Sequence, residues 1–403
     1  MWPTTALVLF LALQSNYYEL GLKALDDKRY QEAVDNFINA IAAEPKDYSL
    51  HFNLALAYSL LGKDAEAIPQ YKTVLEMKPG LYQAELNLGI LLLRDQQGAS
   101  AVPYLTDAVS QKPKEFRPNL YLASALAANG DFAKAEQAYK TALEIDPKSP
   151  DAELGLAHAL AKQDRLADAA PHFQAAAALN PNFRDGVLEL GSLYEAAKQN
   201  PEAMAIYQQF PDNPGAQERL GVLLLAAGQP ADAIAHFQAA IAKSPTSANR
   251  AALATAYLKN KEPDKALPVV DQILATDPND FELRMLHGRI LRDQRKFPQA
   301  AQDFIGATKI KPDSTEAWSE LASVLVVGDD YAAALAALDR VAALHAEKPG
   351  HVYFRAIVLD KIHQQKPALE SYQRFLAMSN GENPDEEFRA RQRIKVLERE
   401  LRR

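Results

Sequence analysis

The chain has 403 residues, no cysteine and a formal net charge of −8 at pH 7. The lack of cysteine excludes disulfides, thiol chemistry and a lipidated cysteine in this chain, and the negative charge argues against binding to nucleic acid or to anionic membranes. Hydrophobic residues make up 48% of the chain, and no run of alternating β-branched residues competes with a helical pattern.

The N-terminal segment, residues 1–13, contains a short apolar run from Ala6 to Leu13, followed by Gln14 and Ser15. This pattern resembles a cleavable export signal, although no lysine or arginine precedes the run. An N-terminal packing helix is the alternative. The run is shorter than the roughly 20 apolar residues of a transmembrane helix, so we expect no stable membrane insertion. We expect export to the periplasm or cell envelope in preference to a cytoplasmic location.

One alanine recurs along the chain at an interval that is constant except on either side of Ala233, where it is shorter. The set is Ala33, Ala67, Ala101, Ala135, Ala169, Ala203, Ala233, Ala266, Ala300, Ala334 and Ala368. A regular period of about 34 residues is typical of solenoids, in which each repeat packs only on its neighbours. We therefore expect one extended all-α domain.

A second position precedes each alanine by a constant interval, as Gly21 precedes Ala33, and holds only glycine or alanine. Its members are Gly21, Ala55, Gly89, Ala123, Ala157, Gly191, Gly221, Ala254, Gly288, Ala322 and Ala356. A small side chain lets the two helices of a hairpin approach closely. A third position, one helical turn after the alanine, is often aromatic, and we expect these rings to fill the space between successive hairpins. The rings are Phe37, Tyr71, Tyr139, Phe173, Tyr207, Phe237, Phe304 and Tyr372.

These positions resemble the tetratricopeptide repeat, a 34-residue helix-turn-helix with the pattern W-x2-L-G-x2-Y, then A-x3-F, A and P. In the first repeat the pattern reads Tyr17, Leu20, Gly21, Ala33, Phe37, Ala40 and Pro45. The resemblance covers residues 14–382. It implies a right-handed α-solenoid of about eleven repeats whose first helices line an inner groove.

The short interval between Ala203 and Ala233 removes about one helical turn. The segment from Gln209 to Gly215 cannot continue a helix, because it contains two prolines and a glycine. It therefore shortens the second helix of repeat six. We predict a change of superhelical path near residues 208–216, which divides repeats one to six (14–213) from repeats seven to eleven (214–382). A loosened repeat interface and a functional hinge are both consistent with this pattern.

The C-terminal segment, residues 383–403, has the features of a capping helix. Asn383 and Pro384 can start it, acidic residues follow in its first turn, and arginines lie at its end, which complements the helix dipole. Its predicted apolar stripe consists of Ala390, Ile394, Leu397 and Leu401. A basic partner-binding or dimerising helix is the alternative.

Motifs for catalysis and cofactor binding are missing from the sequence, which has no phosphate-binding G-x-x-x-x-G-K-[ST], no H-E-x-x-H and no G-x-S-x-G. His158 and His172 are the nearest to a histidine pair, but they fall on different helices of one hairpin. We therefore expect no metal, no cofactor and no enzymatic activity.

The resemblance implies that first-helix residues line a binding groove. The expected peptide-binding residues are Tyr18, Leu22, Phe52, Asn53, Leu56, Leu86, Asn87, Ile90, Arg289 and Arg292. The set is largely apolar in repeats one to three and polar further along, which suits an extended peptide better than a compact small molecule.

Two polar features of the groove have alternative interpretations. Asn53 and Asn87 occupy the same place in adjacent repeats and are either two rungs of an asparagine ladder for a peptide backbone or unrelated surface residues. Four arginines of repeat nine form either a solvated face or a site for an acidic segment or terminal carboxylate. They are Arg284, Arg289, Arg292 and Arg295.

The leading functional hypothesis is a noncatalytic scaffold that binds a protein or peptide partner in the groove of repeats one to three. The alternatives are an envelope protein that handles glycan or lipid, and an accessory subunit of an enzyme complex. The oligomeric state and the partner cannot be read from the sequence.

Overall fold

The computed structural model describes residues 17–402, and this range contains helices and no strands. The prediction of an all-α fold is therefore confirmed. The N-terminal apolar run lies outside the described residues, so the choice between an export signal and a packing helix stays open. The chain forms two compact units, one ending at Ile206 and one beginning at Tyr207.

Helices of the first unit begin with α1, described over residues 17–26. The next are α2 (Tyr30–Ala43), α3 (Tyr48–Leu60), α4 (Asp64–Met77), α5 (Tyr82–Arg94), α6 (Gly98–Gln111), α7 (Phe116–Ala128), α8 (Phe132–Ile145), α9 (Pro150–Ala161), α10 (Leu166–Leu179), α11 (Arg184–Ala196) and α12 (Asn200–Tyr207). A 3-10 turn, Pro181–Phe183, leads into α11.

Helices of the second unit follow the same order of short helix pairs. They are α13 (Pro214–Ala226), α14 (Pro230–Lys243), α15 (Ser247–Lys259), α16 (Pro263–Leu274), α17 (Phe281–Asp293), α18 (Phe297–Ile310), α19 (Thr315–Val327), α20 (Tyr331–Ala343), α21 (Pro349–Lys361), α22 (Gln365–Ser379) and α23 (Pro384–Glu400).

Hairpins of consecutive helices form the repeat unit. α3 packs on α4, α5 on α6 and α7 on α8. Within each unit the second helix of a hairpin also packs on the next first helix, as α4 does on α5 and α14 does on α15. First helices of adjacent repeats also touch each other, as α5 does α7 and α7 does α9. This arrangement places the first helices side by side along one face of each unit. The exact number of repeats stays a prediction.

The recurring alanine lies at the centre of each hairpin, and all eleven alanines are 0% exposed. The small position explains the close helix approach, since a Cβ at Gly21 would lie 2.6 Å from the ring of Phe37. In the same way, a Cβ at Gly288 would lie 2.8 Å from the ring of Phe304. These rings also share a core with the next hairpin, Phe37 with Leu54 of α3 and Phe304 with Leu321 of α19, as expected for rings that fill the space between successive hairpins. Without a Cβ on the first helix, the ring has room inside its own hairpin.

A residue in the left-handed backbone conformation separates the two helices of each hairpin. These residues are Lys28, Gly62, Gln96, Gly130, Asp164, Lys198, Gly228, Lys261, Arg295, Asp329 and His363, with φ between 59° and 83°. This conformation lets the backbone bond back across the helix end, as Lys63 N–H does to the Tyr58 carbonyl at 2.9 Å. Only three of these positions hold glycine, so most turns carry a local conformational cost.

Polar side chains at the fourth residue of several first helices anchor the preceding connection. Asn119 Nδ2 donates to the Pro113 carbonyl at 3.0 Å, and Trp318 Nε1 donates to the Pro312 carbonyl at 2.9 Å. Arg284 Nε donates to the Pro278 carbonyl at 2.6 Å. Each bond satisfies a proline carbonyl in the connection that follows the preceding helix.

The irregularity in repeat six appears as a short second helix, because α12 has 8 residues whereas α10 and α14 have 14 each. The predicted change of superhelical path and the hinge stay predictions, as do the proposed domain boundaries. Prolines at the end of the first turn do not break their helices, since α4 continues through Pro69 and α6 through Pro103.

The C-terminal helix α23 packs on α22, with Ala390 and Leu397 both 0% exposed. Leu401 is 43% exposed and lies beyond the helix end, so the predicted apolar stripe is one residue too long. Arg393 of α23 also reaches α21, where its Nε and Nη2 donate to the Asp360 carboxylate at 2.6 and 2.7 Å.

Candidate functional site

The predicted groove residues of the first unit lie on α1, α3 and α5. Tyr18, Leu22, Phe52, Leu56 and Ile90 are half-buried. Tyr18, Leu22, Phe52 and Ile90 pack against a hydrophobic core, and all five keep part of their surface accessible.

Leu86 departs from this pattern. It is only 6% exposed and belongs to the core that α5 shares with its neighbours. The expectation that Leu86 offers an apolar anchor is therefore wrong, because its side chain is already covered by the protein.

A chain of contacts joins the groove residues of repeats two and three. The ring of Phe52 lies edge-on to the ring of Tyr71, with centroids 5.5 Å apart, and Asn87 Nδ2 donates to the Tyr71 hydroxyl at 3.1 Å. Tyr71 is 0% exposed. Burial raises the pKa of Tyr71 to about 12, although the hydrogen bond from Asn87 acts in the opposite direction. The neutral hydroxyl thus fixes the position of Asn87 relative to Phe52.

The two groove asparagines occupy equivalent places, each the sixth residue of its helix. Within residues 17–402, the Asn53 amide and the Asn87 Oδ1 have no hydrogen-bond partner. Amide groups of this kind can bond to the backbone of a bound peptide. The asparagine ladder stays a prediction.

Arg289 and Arg292 of α17 lie in the second unit and are already paired within the chain. Arg289 Nε donates to Glu320 Oε1 at 2.9 Å, and Arg292 also bonds Glu320. Arg289 further bonds Glu316, and Arg292 bonds Asp293 Oδ1 at 3.0 Å. A ligand carboxylate at these arginines has to compete with the internal carboxylates.

A similar bridge links first helices in the first unit, where His158 Nε2 lies 3.0 Å from Glu189 Oε2. The two residues are 31 positions apart, as Arg289 and Glu320 are. A histidine or arginine followed by a glutamate 31 residues later on the next first helix is a signal that the sequence analysis missed. It marks contacts between adjacent repeats.

The remaining arginines of repeat nine do not join this network. Arg295 occupies the left-handed turn after α17, and Arg284 Nη1 lies 3.5 Å from Asp303 Oδ1 of α18. The four arginines therefore do not form one basic face.

His287 of α17 pairs with two carboxylates, one on α16 and one on α18. Its Nδ1 lies 2.6 Å from Asp303 Oδ2 and its Nε2 lies 3.0 Å from Asp271 Oδ1. Burial alone lowers the pKa of His287, but the hydrogen bonds and negative charges of Asp303 and Asp271 outweigh it and hold the pKa above its usual value. The charged form of His287 therefore stabilises this part of the fold.

No group of histidine, aspartate and glutamate side chains suited to a metal ion occurs within residues 17–402. His158 and His172 lie on α9 and α10, and each pairs with a glutamate, His172 with Glu153 at 2.6 Å. Over the same range, none of the helices is both long and apolar enough to span a bilayer.

Comparison with known proteins gives matches along most of the chain. A family model described as tetratricopeptide repeat matches residues 18–82, 86–150, 154–216 and 285–351. A second model with the same description matches residues 224–290.

Two curated proteins are similar over part of the chain. A stretch of 103 residues is 37% identical to DnaJ homolog subfamily C member 3 of Gallus gallus and covers 25% of this chain and 20% of that protein. A stretch of 160 residues is 27% identical to Protein O-mannosyl-transferase TMTC1 of Homo sapiens and covers 38% of this chain and 18% of that protein. The matches thus span about a fifth of each relative.

Solved structures with similar backbones include MamA 41-end from Desulfovibrio magneticus RS-1, which is 22% identical with a TM-score of 0.40 over 42% of this chain and 96% of that chain. Another is YrrB, described as a TPR protein with an unusual peptide-binding site, which is 18% identical with a TM-score of 0.40 over 45% of this chain and 90% of that chain.

The family models together match more than half of the 403 residues. The matched ranges cover helix pairs seen in the structure, and the repeated alanine, small and aromatic positions account for the packing of those pairs. The chain belongs to the tetratricopeptide repeat family.

Proposed function

We propose that the protein is a noncatalytic scaffold that binds an extended segment of a partner protein in the groove lined by α1, α3 and α5. Membership in the tetratricopeptide repeat family supports the general class of protein-interaction scaffold. The observation that carries the choice of site is the connected set of Phe52, Tyr71 and Asn87 beside half-buried apolar side chains.

The apolar part of the groove provides the affinity. Tyr18, Leu22, Phe52, Leu56 and Ile90 each have accessible surface that a bound side chain can cover. Covering apolar surface contributes about 25 cal/mol per Å². An aromatic anchor in the middle of an interface contributes of order 2 kcal/mol, which we assign to Phe52.

The asparagines provide contacts that do not depend on the partner's side chains. The Asn53 amide can donate and accept, and Asn87 retains an acceptor because its Nδ2 is bonded to Tyr71. Both groups can pair with the backbone of an extended chain. Apolar side chains and backbone-binding amides together suit a partner segment with an extended backbone and a few apolar side chains.

Arg289 and Arg292 are a proposed contact for an acidic part of the partner. Their bonds to Glu316 and Glu320 reduce the gain from such a contact, because one carboxylate replaces another. We therefore place the main site in the first unit. Export to the cell envelope and the lack of nucleic-acid binding are also proposals, supported by the N-terminal apolar run and by the net charge of −8.

Affinity capture tests the proposal. The wild-type chain and a Phe52→Ala, Asn53→Ala, Asn87→Ala variant are used as baits in envelope and cytosolic fractions, and retained proteins are identified by mass spectrometry. The matched control is Phe388→Ala, which removes an aromatic ring that is 64% exposed on α23. We expect at least one protein to be retained by wild type and control and lost by the triple variant.

Equal retention by all three baits would rule out the groove on α1, α3 and α5. Because Phe52 contacts Tyr71, the triple variant is first compared with wild type by circular dichroism. Asn53→Ala alone serves as a second test, since the Asn53 amide has no partner within residues 17–402 whose loss could unfold the repeat.

A further inference from the structure

A second surface lies on helix α18 of the second unit. The guanidinium of Arg284, a residue of the neighbouring helix α17, is held there in a fixed position. Arg284 Nε donates to the Pro278 carbonyl at 2.6 Å, which ties the side chain to the start of α17. Its Nη1 lies 3.5 Å from Asp303 Oδ1. The shorter contact of Asp303 is to His287, at 2.6 Å, so Asp303 takes up only part of the charge on Arg284.

Gly306 makes room for this guanidinium. A Cβ at this position would lie 2.9 Å from Arg284 Nη1 and 3.0 Å from Arg284 Cδ, so Arg284 lies directly on the backbone of α18. Among the equivalent positions of the repeats, each the same distance after the recurring alanine, this is the only glycine. The other residues at this position are Asn39, Thr73, Asp107, Thr141, Ala175, Gln209, Ala239, Gln272, Arg340 and Arg374. Only repeat nine has this arrangement.

A first hollow, with a volume of about 570 Å³, opens beside Arg284. Its polar lining consists of Arg284, Lys309, Asn279 and Gln302. Lys309 is exposed, and within residues 17–402 it forms no ion pair. The first hollow is therefore lined by two cations and two side-chain amides, and no carboxylate side chain is among its lining residues. These groups are suited to a bound carboxylate, since a guanidinium donates two parallel hydrogen bonds to it.

A second hollow of about 340 Å³ adjoins the first along α18 and shares Gln302 and Ile305 with it. Its lining is largely apolar and includes Phe297, Val324 and Leu325. Ile305, between the two hollows, is 39% exposed. The surface thus offers a cationic site next to an apolar one, on the second helix of the repeat.

We propose that these two hollows together form a docking surface for a segment of a partner protein that carries an aspartate or glutamate side chain close to a bulky apolar residue. The carboxylate binds Arg284 and Lys309, and the apolar side chain enters the hollow between α18 and α19. Charge complementarity selects this occupant, because the lining of the first hollow has two cations and no carboxylate, and Asp303 offsets the charge of Arg284 only in part. This surface is separate from the groove on α1, α3 and α5 and does not depend on it.

The test uses a phage library that displays random peptides as internal segments. The library is selected on the full-length wild-type protein and counter-selected on Lys309→Glu. Selected peptides are then synthesised with amidated C-termini and a fluorescent label, and their binding is measured by anisotropy. The control variant is Lys259→Glu, which makes the same charge change at the end of α15.

We expect the selected peptides to share an acidic residue at a fixed distance from leucine, isoleucine or phenylalanine. Replacing that acidic residue by its amide, or using Lys309→Glu, should weaken binding about tenfold or more, the loss expected for a charge-assisted hydrogen bond. Lys259→Glu should bind like wild type. Because Lys309 is exposed and unpaired, its variant should keep the thermal unfolding curve of wild type.

A selection that yields no peptide dependent on Lys309, or peptides whose acidic residue can be replaced without loss, would overturn the proposal. Peptides that lose binding on Phe52→Ala but not on Lys309→Glu belong to the groove on α1, α3 and α5. If the selection yields only these, the surface on α18 is refuted while the proposed function is supported.

Discussion

Gly89 on α5 offers a sharp test of how the hairpins pack. A Cβ at Gly89 would lie 2.4 Å from Leu105 Cγ and 2.7 Å from Leu105 Cδ2, and Leu105 is 0% exposed. The leucine branch point cannot swing away, because the surrounding core holds it. Overpacking of this kind costs about 1–3 kcal/mol, and we take the upper part of that range because the overlap is severe.

Helix propensity acts in the opposite direction, because the interior of a helix favours alanine over glycine. Replacing glycine by alanine inside a helix gains up to about 1 kcal/mol, so the expected net loss of stability for Gly89→Ala is about 1–2 kcal/mol. Gly350 provides the matched control. It is the second residue of α21, and a Cβ there would have no neighbour within 4 Å. Gly350→Ala should therefore be neutral or stabilising by up to about 1 kcal/mol.

Native-state hydrogen exchange is the appropriate assay, because a solenoid opens locally and repeats exchange with their own free energies. Amides of α5 and α6 should lose protection in Gly89→Ala, whereas amides of α21 should keep or gain it in Gly350→Ala. If Gly89→Ala left the protection of α5 and α6 unchanged or increased it, close approach at the small position would not determine hairpin packing.

Three further predictions concern the turns, the buried charges and the cap. Lys198→Gly relieves a left-handed residue with φ of 60° and should stabilise its repeat by about 1 kcal/mol, whereas Lys72→Gly in the interior of α4 should destabilise by about the same amount; hydrogen exchange measures both. The pKa of His287 is raised in the folded protein, so the stability it contributes is complete below its unfolded pKa of about 6.5 and is lost as the pH rises through the folded pKa. Urea unfolding should show that the free energy of unfolding decreases less between pH 6 and pH 9 for His287→Gln than for wild type and for the control His345→Asn. Equal decreases in all three proteins would contradict this role. Deleting residues 383–403 should expose the apolar face of α22 and increase binding of a hydrophobic dye, and unchanged dye binding would count against the cap.

The repeat positions could be predicted from the sequence because each has one physical role in every repeat. The alanine that recurs once per repeat is 0% exposed wherever it occurs, and the shortened α12 follows from the short interval between Ala203 and Ala233. The turns were less accessible to sequence reasoning. Lys28 and Lys198 give no signal of a left-handed conformation, which is imposed by closing the helix end and not by the residue type.

The site was predicted less well, because position in a repeat does not determine exposure. Phe52 and Leu86 both fall on first helices and both seemed available, yet Leu86 is covered by the core. Arg289 and Arg292 appeared as free cations because their partner, Glu320, lies 31 and 28 residues further along the chain. Contacts between repeats decide these points, and they become visible only when neighbouring first helices are placed side by side.

Photocrosslinking tests the central claim of an extended segment in the groove of α1, α3 and α5 most directly. A photoreactive phenylalanine analogue is placed in turn at Leu22, Leu56 and Ile90, with exposed Ser100 on α6 as the control, and crosslinked partner residues are mapped by mass spectrometry. We predict that the three groove positions crosslink to successive residues of one partner segment, in linear order along its chain, and that Ser100 does not. Crosslinks to a single partner residue from all three positions, equal crosslinking from Ser100, or none from the groove would contradict the account.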